Sequence, residues 1–67
     1  MSRLFTVTIQ KEDIWYVAKC LENNVASQGN TMDEAMNNLR EALELYYEDE
    51  ALPAFPQTFV TMMEVAL

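Results

Sequence analysis

At 67 residues, 51% of them hydrophobic, the chain has the size of one small domain and a composition that argues against disorder. Eleven carboxylates against four cationic side chains give a formal charge of −7. That balance opposes direct nucleic-acid binding, which is driven by cationic groups displacing counterions from phosphate, and it favours a basic partner. The lone Cys20 excludes an internal disulfide, and without histidine a zinc site is not expected; no cofactor is expected. No apolar run approaches the roughly 20 residues of a membrane span. Met1 to Leu4 runs straight into a strand pattern with no signal-peptide core, so the expected location is the cytoplasm, where an unpaired cysteine is kept reduced.

Leu4 to Gln10 alternates Phe5, Val7 and Ile9 with Thr6, Thr8 and Gln10, the period of a half-buried strand. Lys11, Glu12 and Asp13 read as a solvated connector of hairpin length. Ile14 to Cys20 is the second strand, apolar on both faces, which suits a central strand or one that meets a partner. A nucleophilic role for Cys20 would need a neighbouring base or cation to form thiolate. With no histidine in the chain, a small inert core residue is the better reading. Glu22, Asn23 and Asn24 make a polar bend, and Val25 to Gln28 is a short third strand.

The next stretch carries the strongest local signal. Gly29, the single glycine, ends the third strand where either a positive φ or a close backbone approach is needed. Thr31 and Glu34 have capping-box spacing, each side chain reaching toward the other's backbone N–H. Asp33 and Glu34 place negative charge where the helix dipole favours it. The helix should run from Met32 to about Tyr47. Met32, Ala35, Met36, Leu39, Ala42, Leu43 and Tyr46 form one apolar face, and the acids and amides form the other. Its end is unusual: Glu44, Glu48, Asp49 and Glu50 crowd a terminus whose dipole disfavours anions by roughly 0.3–1 kcal/mol each. Glu44 and Glu48 are also a like-charge i, i+4 pair. Local rules are broken most often at functional sites, and Tyr46 and Tyr47 lie beside this one. Glu44, Tyr46, Tyr47, Glu48 and Asp49 are therefore the candidate partner-binding residues.

Leu52 to Pro56 is a loop stiffened by two prolines. Thr58 to Val65 reads as a last strand, with Phe59, Thr61, Met63 and Val65 on one face and Val60, Met62 and Glu64 on the other. At a sheet edge the second face would invite another copy, so Val60, Met62 and Glu64 are candidate homo-oligomer residues. The expected order is β-β-β-α-β in a single domain over residues 1–67. Short connectors make the first three strands antiparallel neighbours, and a right-handed crossover brings the fourth beside the first. The result is an α+β two-layer sandwich of sheet order 3-2-1-4 with the helix on one face.

Five segments together resemble the HicB-like antitoxin domain family of prokaryotic toxin–antitoxin systems. They are Phe5-Thr6-Val7-Thr8-Ile9, Trp15-Tyr16-Val17-Ala18, Val25-Ala26-Ser27-Gln28-Gly29, Thr31-Met32-Asp33-Glu34-Ala35 and Glu41-Ala42. Gly29, Thr31, Glu34 and Ala35 are the most recognisable mark, and the resemblance runs over residues 4–67. It implies a truncated ribonuclease-H-like fold without catalysis. It also implies neutralisation of a small basic HicA-type mRNA-cleaving toxin, with an acidic face masking the toxin's RNA-binding surface. Many family members carry a further DNA-binding domain; this chain stops after its fourth strand, so operator binding is not expected of it. The alternative is a stand-alone homo-oligomeric interaction module with no toxin. Metal-dependent nuclease chemistry would need clustered strand carboxylates, and Phe5 to Ile9 contains none.

Overall fold

A computed structural model describes residues 3–48 and 54–67 of the chain. Its elements are β1 (Val7–Glu12), β2 (Trp15–Cys20), β3 (Ala26–Gly29) and α1 (Met32–Tyr46). The strands form an antiparallel sheet of order β1-β2-β3, so the protein is α+β, with one helix laid on one sheet face.

β1 runs two residues further than the alternation suggests, pairing Glu12 with Trp15 across a two-residue turn. The turn is possible because Asp13 takes φ 57°, a left-handed conformation that a short polar side chain tolerates. The second bend is pinned by its own backbone. The Cys20 N–H donates to Val25 O at 2.8 Å, and the Asn24 N–H donates to Cys20 O at 2.9 Å. Asn24 supplies the second left-handed residue, at φ 63°.

Register decides which face is buried. Val7 and Ile9 lie opposite Cys20 and Ala18, and Ala18 lies opposite Ser27. This face meets α1. Ala18, Ala35 and Leu39 form the buried cluster, with Val7, Ile9, Tyr16, Val25 and Leu43 packed partly covered around it. The helix rests on β2 and β3. β1 lies to one side of it, and Val7 and Ile9 remain half-buried.

Gly29 resolves to one of its two expected uses. Its φ is not positive. A Cβ there would instead stand 2.6 Å from the Ala35 backbone N and 2.9 Å from Glu34. The glycine lets the end of β3 touch the first turn of the helix. That turn is capped as its sequence demands: Thr31 Oγ1 accepts from the Glu34 N–H at 3.0 Å. The reciprocal arm differs by one residue, because the Glu34 carboxylate accepts from Asn30 N–H at 3.1 Å rather than from Thr31. Thr31 is extended, at φ −133° and ψ 165°, and the Asn30 N–H is the donor within reach. Asn38 ties the helix back to β3 by donating to Gln28 O at 2.8 Å.

After the helix the expectation and the structure part. Residues 54–67 form no strand or helix and pair with none of the three strands. The expected fourth strand over 58–65, and with it the order 3-2-1-4, is therefore not formed within this chain. The sheet ends at β1, and the segment leaves the domain after Phe55.

Gly29→Ala should destabilise the fold by about 1–3 kcal/mol, since the methyl group must push backbone rather than a flexible side chain. Thr31→Ala should cost about 1 kcal/mol through loss of the cap. Chemical denaturation monitored by circular dichroism measures both.

Candidate functional site

The acidic helix end is built by the phase of α1. With Ala35 and Leu39 turned to the sheet, residues Glu41, Glu44, Leu45 and Glu48 fall on the solvent side, and all four are exposed. No basic residue occupies the last turn. Leu45, 71% exposed, stands among three carboxylates, while Tyr46, in phase with Leu39, lies on the opposite side of the helix end and is still 58% exposed. Sequence periodicity passed over Leu45, an apolar residue out of step with the buried stripe. It was findable as the helical position that fits neither face.

Tyr46 and Tyr47 have different tasks. Tyr46 is exposed and meets Tyr47 edge-on, with ring centroids 4.8 Å apart. Tyr47 is half-buried, stacks on Phe5 at 5.9 Å and meets Phe55 at 6.4 Å. Phe5 and Phe55 close the triangle at 6.0 Å, with the Arg3 guanidinium 5.2 Å from the Phe55 ring centre. The Tyr47 hydroxyl accepts from Asn23 Nδ2 at 2.8 Å. Of the candidate partner-binding residues, Glu44, Tyr46 and Glu48 are presented to solvent, and Tyr47 is mostly occupied in bracing the domain. Asp49 lies outside the described residues.

That brace leads to a node that sequence reasoning took for a plain bend. Glu22 Oε1 accepts from the Thr6 N–H and Oε2 from the Thr6 hydroxyl, both at 2.8 Å. The Thr6 carbonyl in turn accepts from Leu21 N–H at 2.8 Å. Asn23 Oδ1 accepts from Val25 N–H at 3.0 Å while its amide reaches Tyr47. One short bend thus fastens the start of β1, the end of β2 and the end of α1. The hydrogen bonds from Thr6 hold the Glu22 carboxyl below the usual carboxylate range. Cys20, whose thiol donates to Glu22 Oε1 at 3.5 Å, is fully buried. Burial first, with the neighbouring carboxylate adding, raises the thiol's pKa. It is a buried core residue, as its sequence setting suggests.

The candidate oligomer residues lie on the segment that leaves the domain. Val60 is 62% and Met62 96% exposed, and Glu64 is exposed as well. The other side of the segment is no better covered, with Phe59, Met63 and Val65 all exposed. The sheet face away from the helix carries Trp15, and Val17, Ala26, Ser27 and Gln28 line a shallow, open hollow along β2 and β3. No helix among the described residues is long and apolar enough to cross a membrane.

A three-stranded antiparallel sheet under one helix with an anionic terminus defines a small α+β domain. A model of a family of unknown function (DUF7387) matches residues 6–59, most of the chain. The chain belongs to that family. No curated protein and no solved structure gave a match.

Two consequences can be measured. Because folding lowers the Glu22 pKa, its stabilising effect is complete above the ordinary carboxylate value and is lost as pH falls through the lowered one. Thermal melts of wild type and Glu22→Gln should therefore differ at neutral pH and converge on acidification below about pH 4. Cys20 should resist a thiol reagent in the native protein and react at once when the chain is denatured.

Proposed function

We propose that this chain is a non-catalytic antitoxin of the HicB-like type, acting in the cytoplasm on a small basic HicA-type ribonuclease. The observation that carries this reading is the exposed helix end, where Leu45 stands among Glu41, Glu44 and Glu48 and Tyr46 next to it in the chain is exposed as well. Tyrosine is among the residues most often found at the energetic centre of an interface, where a surrounding rim excludes water. A carboxylate rim on a chain of charge −7 speeds encounter with a cationic protein and disfavours anionic competitors such as RNA. Bound over the toxin's RNA-binding surface, the helix end would occupy the place of the phosphate backbone. The finer form of the fold belongs to the same proposal: residues 58–65 complete the sheet beside β1, giving the order 3-2-1-4 of a truncated ribonuclease-H-like domain.

A second reading, a homo-oligomeric interaction module without a toxin, is favoured by one observation: the apolar segment from Phe59 onward is uncovered in the single chain. A small basic reading frame next to this one, carrying a histidine, separates the two. Co-expression with that neighbour should rescue growth and yield a co-purifying complex on the first reading, and do neither on the second.

Within the complex, Glu44→Lys combined with Glu48→Lys should weaken binding at least about tenfold at low salt, with the helix signal in circular dichroism unchanged. Tyr46→Ala should cost about 2 kcal/mol of affinity, read by calorimetry. Unchanged affinity in both variants would remove the helix end from the interface.

A further inference from the structure

We propose that residues 58–65 form a strand in trans, pairing with the β1 edge of a second copy of this chain while receiving that copy's segment on its own β1. The proposal rests on the sheet completion of the preceding section and says which molecule supplies the missing strand.

Four observations carry it. The segment Thr58-Phe59-Val60-Thr61-Met62-Met63-Glu64-Val65 has strand chemistry, being rich in β-branched and large apolar residues with no glycine or proline. Yet Phe59 is 79%, Met62 96% and Met63 82% exposed. Strand-forming apolar residues left in water on both sides are a cost that the isolated chain does not recover.

The place where the segment leaves the domain is fixed. Phe55 is held by Phe5 and Tyr47, and Pro56 follows it. From there the chain projects outward. The Cα radius of gyration is 13.8 Å, against about 11 Å for a compact chain of this length. The long axis is 46 Å, about twice the roughly 20–23 Å of a six-residue strand or a 15-residue helix.

The acceptor is β1. It lies at the sheet edge, six residues long, and contains no proline. Its helix-side residues Val7 and Ile9 are half-covered, because α1 rests on β2 and β3. The other edge is a poorer acceptor: β3 has four residues, and the Gln28 carbonyl already receives Asn38.

The occupant is a second copy because a matching segment and a matching edge are present in every copy. An exchange about a two-fold axis therefore satisfies both at once, and each contact is made twice. Doubling is how a chain this small reaches the roughly 1,200 Å² that a specific interface needs. The segment carries one charge, Glu64, so bringing it onto β1 joins two acidic chains through their least charged part.

The test uses the full chain alone, so it is independent of any toxin. Light scattering at micromolar concentration should give twice the 7.7 kDa chain mass. Two differently tagged copies in a Cys20→Ala background, one Thr8→Cys and the other Thr61→Cys, should be joined to each other by a short bis-maleimide. Val60→Pro with Met62→Pro, which removes ladder donors, should give a monomer with its helix signal intact. A monomeric wild type would overturn the proposal. So would a Thr8→Cys, Thr61→Cys double variant that links only within one chain, because the strand would then close in cis. Preferential Thr61-to-Thr61 linkage would overturn it in favour of segment-to-segment pairing. Failure of the Glu44 and Glu48 variants to affect toxin binding would leave the exchange untouched, since none of these assays contains a toxin.

Discussion

The approach of the helix to the end of β3 governs most of what this protein does with its surface. Gly29 lies so close to Ala35 N that no side chain fits between them, and Ala18 and Ala35 continue the contact with small side chains. A helix brought this near β3 and β2 cannot also cover β1. The core is accordingly slight: Ala18, Cys20, Ala35 and Leu39 are the buried hydrophobic residues among those described. Domains of this size bury only about 60% of their unfolded surface in any case. Here the deficit is localised along β1 and the segment after Phe55.

The polar bend after β2 offsets part of that deficit. Glu22 holds the start of β1 through Thr6, and Asn23 holds the end of α1 through Tyr47. These bonds join the start of β1, the end of β2 and the end of α1 at one corner of the domain. The aromatic triangle of Phe5, Tyr47 and Phe55 works alongside them. It aligns the start of β1 with the helix end and sets the point from which the final segment departs. Two tyrosines adjacent in sequence are thereby divided between tasks, Tyr47 bracing the fold and Tyr46 exposed to solvent.

Much of the local structure was legible in the residues because its causes are local. Alternation gave β1 and β2, and Thr31 with Glu34 placed the helix start at Met32, where it stands. The charges of the helix end were equally plain. Two features were hidden because their causes are distant. Glu22 acquires its role only when β1 brings Thr6 to it, sixteen residues away in the chain. Tyr47 is withdrawn from the surface only because Phe5, Phe55 and Asn23 converge on it. Leu45 escaped a reading based on buried periodicity because it is exposed.

The amino-acid sequence by itself determined an acidic α+β domain: three strands, then a capped helix whose last turn concentrates negative charge, then an apolar strand-like segment. These follow from side-chain period, backbone preference and formal charge, which act over a few residues. Tertiary structure decided the rest. It showed that Gly29 serves close approach rather than a left-handed turn, and that the helix favours β2 and β3. It also left the final segment unpaired with any of the described strands. Those outcomes depend on how tightly two elements distant in sequence can approach, a steric limit that no local pattern encodes.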